Sequence, residues 1–496
     1  MIRAAVAFAT LTLLFGCASD PSPAPVAEAP RESSTEAAAP LPAASAHRSW
    51  LDPSPPIETG PIVDPERLHI STLANGLRVM VLEDHRLPQA GLGLALRRGA
   101  ANEAPAQAGL AVFLADLMER GAGERDALAL AETVEGLGAS YGVSAGWDSI
   151  QVDVGGLSRD LDAMFAVLVD LIRRPRLEAS EAAKVKSETL AGLERAKDQP
   201  PTLAAWSFAR VVYGEHRFGL PMSGTPETVA LLDADQARAF HESLFVPGNA
   251  ILYAAGDVDA TDFVRRVEAA FADWAAAPVP EPGAAPPTPT PAARRIVVVD
   301  RPDLGQAQIV IGHEGVGRAD PERVPAGLMN STLGGGGFSS RLMTVIRERE
   351  GLAYGVHSGF RLRRGAGPFV VSTATRVSET RRAIDLLLAE LEGIRENPPT
   401  AAELAHAQTY SAGGFALGLE TSGAMLGSLV DLDIHGLPLD GLDTYRARVA
   451  AVTTATAAEQ ARKRIHPGRA AIVVVGPAET LAPALEGLGP VEIVQP

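Results

Sequence analysis

Leu333-Gly-Gly-Gly-Gly-Phe-Ser-Ser-Arg-Leu-Met-Thr-Val-Ile-Arg-Glu-Arg-Glu-Gly-Leu-Ala-Tyr-Gly-Val356 reads as a loop, a helix and the entry to a strand. Four successive glycines make a flexible turn that other backbone can approach closely. Ser339 or Ser340 then offers an N-cap. Leu342, Val345 and Ile346 form an apolar stripe at helical spacing, and Gly351 suits the C-terminal stop. The segment Leu352 to Phe360 has strand character. A glycine-rich loop before a helix also raises phosphate binding, but no Gly-Lys-Ser/Thr follows, which argues against a P-loop.

Outward from this stretch the chain repeats itself. One block opens with two strand-like runs, Leu77 to Asp84 and Ala90 to Gly99. Late in that block comes another run, Asn249 to Asp259, followed by an amphipathic helix, Asp262 to Phe271. The second block opens with Arg295 to Asp300 and Gln306 to His313, and closes with Ala470 to Pro477 before a helical stretch. Strand, strand, long helices, strand, helix in both copies predicts an α+β fold. The expected architecture is two tandem homologous domains, each a largely antiparallel sheet with helices packed on one face. The boundaries read as 63–274 and 295–496, joined by a proline-rich spacer at 275–294. Residues 18–62 are rich in Ala, Pro, Ser and Glu and read as a disordered tether.

Composition narrows the function. The chain has 496 residues, enough for two domains with real cores. Its formal charge of −16 argues against sequence-independent binding to nucleic acid. Residues 1–17 read as a signal peptide: Arg3 precedes an apolar run, Ala4 to Phe15, too short for a spanning helix of about 20 residues. The run ends in Leu14-Phe15-Gly16-Cys17, which resembles a bacterial lipobox, with Cys17 as the lipidated residue. The expected location is periplasmic, lipid-anchored to the outer membrane of a Gram-negative bacterium. Cys17 is the only cysteine, so disulfides and thiolate metal sites are unavailable.

A second diagnostic stretch runs from Gly99 through Ala111, Val112-Phe-Leu-Ala-Asp116 and Leu117 to Gly123. Together with Leu333 to Val356 it resembles the insulinase/pitrilysin metallopeptidase family, in its processing-peptidase-like branch. In active members the helix after the Gly-Leu step carries His-x-x-Glu-His, the inverted zinc motif. The first His corresponds to Val112, the Glu to Ala115 and the second His to Asp116. The third ligand, a Glu on a later helix, corresponds to Gly192, with Glu188 and Glu194 nearby. A catalytic zinc needs about three protein ligands and an open position. Val112 has no lone pair and Ala115 cannot move a proton, so the site reads as degenerate and the chain as free of metal. Asp116 with Glu119 reads as a solvated acidic face before it reads as a rebuilt metal site.

The resemblance also implies what was kept. In the family the Arg of Ser-Arg-Leu and the Tyr of Gly-Leu-Ala-Tyr face the active-site cavity beside the scissile bond; they correspond to Arg341 and Tyr354. A guanidinium and a phenol suit a peptide carbonyl and the oxyanion formed on attack. The bland alternative is that Arg341 salt-bridges a helix neighbour and Tyr354 fills a core. His216 reads as a turn residue, and His241, His313 and His357 as hydrogen-bonded or surface residues; no Ser/His/Asp set or Gly-x-Ser-x-Gly elbow appears. The expectation is a zinc-free subunit, inactive alone, that supplies Arg341 and Tyr354 to a zinc-bearing homologous partner acting on peptides. The alternative is a peptide-binding or scaffolding protein with no part in catalysis.

Overall fold

Two six-stranded sheets organise the chain in the computed structural model, which describes residues 57–283 and 293–496. The signal segment with Cys17, and most of the tether, lie outside the described residues. The first sheet contains β1 (Leu68–Thr72), β2 (Arg78–Glu83), β3 (Gln89–Leu96), β4 (Ser140–Ala145), β5 (Ile150–Leu157) and β6 (Ala250–Gly256). The second contains β7 (Arg295–Asp300), β8 (Gln306–Glu314), β9 (Val356–Phe360), β10 (Pro368–Arg376), β11 (Ala471–Gly476) and β12 (Val491–Val494). Their spatial orders are β1-β2-β6-β3-β5-β4 and β12-β7-β11-β8-β10-β9.

The duplication read from the sequence is therefore visible strand by strand. In each half the first long strand lies parallel to the last, β2 to β6 and β7 to β11, and the next three pairings are antiparallel. Only the edge differs: β1 comes from before its sheet and runs antiparallel to β2, whereas β12 comes from after and runs parallel to β7.

Alternation along the strands explains the packing, because successive side chains point to opposite faces. Val79 and Val81 join Leu92, Leu94, Val152 and Val154 in a core closed by helices of the first half, Leu110–Met118 and Leu161–Arg173. Met80, Leu82, Ala95 and Ile251 point the other way and pack on Leu426, Leu429 and Val430 of the helix Ser422–Ile434, which belongs to the second half. The second sheet returns the exchange. Ile296, Val298, Ile309 and Ile472 face their own helix Thr380–Glu396, while Val297, Val299, Val473 and Val475 pack on Leu203, Ala204, Phe208 and Val212 of Pro200–Tyr213. Each sheet thus has its own helices on one face, as expected, and one helix of the other half on the second. This is why β2, β7 and β11 are continuous apolar runs rather than alternating ones. Residues 56–496 form one compact unit. The described part of the spacer, 275–283, lies along the first half, where Arg98 donates to the Pro280 carbonyl and Asn102 to that of Glu281.

Polar ties cross between the halves. Arg78 and Arg97 both grip Asp433, at 2.5 and 2.6 Å. His435 sits between Asp431, 3.2 Å away, and Asp148 of the first half, at 3.4 Å. Burial pushes the His435 imidazole down, but its bonds to Asp148 and Asp431 outweigh this and raise it to about 9. A raised histidine stabilises fully below its ordinary value of 6.5, and that stabilisation is lost as pH climbs through 9. The contribution is at most about 3 kcal/mol. The melting temperature is expected to fall from pH 6.5 to 9, and His435→Gln to flatten that slope. An unchanged slope in the variant would exclude His435 as its source.

Candidate functional site

The helix Leu110–Met118 is the one on which the zinc motif would lie. Its entry is fixed from the protein interior. Gly109 adopts φ +101, and an added Cβ there would come within 2.7 Å of the Ser223 carbonyl. Glu103 accepts hydrogen bonds from the amides of Gly109 and Ala111, at 3.0 and 2.5 Å. Arg217 donates through Nε to the same carboxylate at 2.6 Å, with both side chains almost fully enclosed. Burial pushes the Glu103 carboxyl up, while Arg217 and the two amides oppose that shift. The sequence reading missed this pair. Its only local signal is an acidic residue just before a helix start, where negative charge meets the helix dipole.

On that helix Val112 is half-buried, Ala115 is buried at 2% exposure and Asp116 is exposed. The surrounding protein pushes the Asp116 carboxyl up to about 6, with Glu119 adding to the shift and Arg120 opposing it. Asp116 is exposed by area, so this is crowding at a surface rather than enclosure. Glu119 is committed elsewhere: its Oε1 accepts from the Val143 amide of β4 at 2.7 Å. The acidic face is therefore part of how the helix is fastened to the sheet edge. Gly192 lies on the helix Ala179–Lys197, and an added Cβ there meets only the Arg195 guanidinium at 4.0 Å. Glu188, one turn earlier, bonds Arg120 at 2.6 Å, which ties the two helices together. Val, Ala, Asp and Gly do not form a zinc donor set. Among the described residues no group of three or more His, Cys, Asp or Glu is placed to hold a metal ion.

Arg341 and Tyr354 meet different fates. Arg341 donates through Nε and Nη2 to both oxygens of Glu403, at 2.7 and 2.8 Å, and through Nη1 to the Asn397 carbonyl at 2.7 Å. Glu403 also closes a capping box with Thr400 at the start of Ala401–Leu417. Arg341 holds its carboxyl down to about 2. The guanidinium is thus bound into its own half. Tyr354 is 89% exposed and fills no core. The Arg347 guanidinium lies 4.7 Å from its ring centroid and 4.6 Å from that of Phe338, itself 64% exposed. This exposed aromatic–cation–aromatic group was not readable from spacing, because Phe338 and Tyr354 flank the helix rather than share a face of it.

The glycine-rich stretch departs from expectation in detail. Neither serine caps the helix: Ser340 donates to the Gly337 carbonyl, and Ser339 to that of Gly336, with the His406 ring 2.9 Å away. The segments Ser331–Gly335 and Met343–Arg349 form wide π turns, which recur at functional sites. Gly351 does end the helix, at φ +59. The strand is β9 alone, so Tyr354 precedes it on the connecting loop. Of the histidines singled out in the sequence, His216 accepts from the Phe218 amide, His241 contacts the Ile172 carbonyl, His313 the Glu314 carbonyl and the His466 amide, and His357 is exposed on β9.

Two family models match this chain: "Insulinase (Peptidase family M16)" over residues 78–225 and "Peptidase M16 inactive domain" over residues 232–410. The chain belongs to the insulinase, or M16, peptidase family. A relative in Streptomyces coelicolor named an uncharacterized zinc protease is 28% identical over 412 residues, covering 82% of this chain and 89% of the relative. One in Bacillus subtilis with the same description is 22% identical over 355 residues, covering 72% and 85%. The crystal structure of a peptidase M16 inactive domain from Pseudomonas fluorescens superposes with TM-score 0.77 at 26% identity, covering 83% of this chain and 98% of that one. A Helicobacter pylori protease shares the fold, with TM-score 0.76 at 18% identity, covering 83% and 99%. The M16 frame thus spans both halves here.

Proposed function

We propose that this M16 chain is the zinc-free subunit of a two-subunit peptidase, anchored through Cys17 on the periplasmic side of an outer membrane. The observation that carries the reading is Tyr354. It is a large aromatic residue, 89% exposed, backed by Arg347 and Phe338. Activation of water is left to a zinc-bearing homologous partner, and this chain supplies contacts to the peptide. The Tyr354 hydroxyl donates to a peptide carbonyl oxygen, a bond that strengthens as charge develops there. Arg347 keeps a positive charge beside the ring. Arg341 acts as a positioning residue: through Glu403 and the Asn397 carbonyl it pins the glycine-rich loop to the helix Ala401–Leu417.

Mixing the purified chain with a zinc-bearing homologue and following cleavage of an unfolded peptide tests this. Neither chain is expected to cleave alone, and the mixture is expected to be active. Tyr354→Phe in the complex is expected to lower kcat by about 100-fold, the scale of losing one oxyanion donor, with a smaller change in KM. Full activity after Arg341→Ala with Tyr354→Phe would sink the assignment. One observation favours the rival role of peptide binding or scaffolding, namely that Arg341 is already satisfied within its own half. Under that role the two chains associate but mixing adds no cleavage.

A further inference from the structure

The outer face of the first sheet holds a trough with no part in the subunit role. Side chains two apart on a strand share a face, so the register places them in rows across β6, β3 and β5. Ile251, Ala95 and Gln151 form one row, and its apolar members pack beneath Ser422–Ile434. The next row is Tyr253, Gly93 and Asp153; the one beyond is Ala255, Gly91 and Gly155.

Tyr253 lies across Gly93, and its hydroxyl donates to Asp153 Oδ1 at 2.5 Å. A Cβ on Gly93 would fall 2.4 Å from Tyr253 Cζ, so only glycine lets the tyrosine reach the carboxylate. The row beyond carries nothing larger than a methyl group. An added Cβ on Gly91 meets nothing within 4 Å, and one on Gly155 meets only the Ala90 carbonyl oxygen at 3.9 Å. The result is a cavity of about 640 Å³ between this floor and the start of Ser422–Ile434, where Thr421, Gly423 and Leu426 form the wall.

Among the described residues Asp153 is the only charged side chain lining the cavity. Among the described residues its one hydrogen-bond partner is the Tyr253 phenol, and no Lys, Arg or His pairs with it. Asp153 is exposed by area at the mouth of the trough; the surrounding walls push its carboxyl up and the phenol opposes this. We propose that the trough binds an ammonium or guanidinium group carried on an extended chain, either a lysine or arginine side chain of a peptide or a peptide's free amino terminus. The cation makes a charge-assisted bond to Asp153 beside the Tyr253 ring. The bare floor at Gly91 and Gly155 admits the chain that carries it.

Calorimetric titration of the purified chain, without any partner, separates the two sources and is independent of the subunit role. Acetyl-Ala-Lys-Ala-amide carries only the side-chain charge, Ala-norleucine-Ala-amide only the amino terminus, and acetyl-Ala-norleucine-Ala-amide neither. At least one cationic peptide is expected to bind about tenfold or more tighter than the uncharged one, and Asp153→Asn to erase that difference. Gly155→Val fills the floor but keeps the carboxylate, and is expected to weaken cationic binding by about tenfold at an unchanged melting temperature. Equal binding of all three peptides, no binding at all, or an Asp153→Asn protein that still discriminates overturns the proposal.

Discussion

Glu103→Gln, or Arg217→Ala, is expected to destabilise the chain by about 3–5 kcal/mol, the scale for breaking one side of a buried ion pair. Glu103 is fully enclosed and holds three donors, the Gly109 and Ala111 amides and Arg217 Nε. The amides belong to a helix start, whose first N–H groups otherwise lack partners. Arg217 in turn donates to the carbonyls of Leu220, Pro221 and Met222, and its guanidinium lies 4.9 Å from the Trp147 ring centroid. Removing the Glu103 charge leaves a buried guanidinium without its counter-ion. Removing Arg217 leaves a buried carboxylate held by two amides alone, and takes the guanidinium from the Leu220 and Met222 carbonyls, while that of Pro221 keeps the Gly224 amide. Urea unfolding of the purified chain measures both losses. The double variant Glu103→Leu with Arg217→Met is expected to lose less than the sum, because neither charge is then stranded. Single variants within about 1 kcal/mol of the wild type would show that water reaches the pair.

What was legible in the sequence follows the distance over which each signal acts. The two sheets were visible because strand runs and helical spacing are local, and because the same order occurs twice. The exchange of helices was not. The apolar face of Pro200–Tyr213 says that the helix is covered, but nothing in its spacing says that the cover is β7 and β11 of the other half. The Arg341 bond to Glu403 spans 62 positions and the Glu103 bond to Arg217 spans 114, so neither has a local pattern. The serine N-cap failed for a different reason. Ser339 and Ser340 have the right chemistry, but their hydroxyls turn back to donate to the glycine carbonyls three residues earlier, and neither hydroxyl oxygen accepts from an amide of the helix that follows. The side chains at positions 112, 115, 116 and 192 are read directly, and it is the resemblance that assigns them to the family's zinc site.

Rebuilding that site is expected to produce the largest gain of function. The variant Val112→His, Asp116→His, Gly192→Glu should bind one zinc per chain with about micromolar affinity or tighter, where the wild type takes none stoichiometrically. Three features favour it. Positions 112 and 116 lie one turn apart on the less buried side of Leu110–Met118. Position 192 has open space above its Cα. The Arg120–Glu188 bond already ties the two helices together, from just past the end of the first to one turn before Gly192 on the second. Competition against a zinc indicator and metal analysis after dialysis read the result. If the two histidines alone bind as tightly as the triple variant, Glu188 rather than position 192 supplies the carboxylate. If the triple variant takes no more zinc than the wild type, the correspondence drawn for these positions is wrong. Cleavage is not expected from the triple variant, because Ala115 still offers no general base. Restoring that base is harder than restoring the ligands. Ala115 is 2% exposed in the main core of the first half, so a glutamate there must either repack its neighbours or bury a charge. The step from metal binding back to catalysis therefore carries a stability cost that the step to metal binding does not.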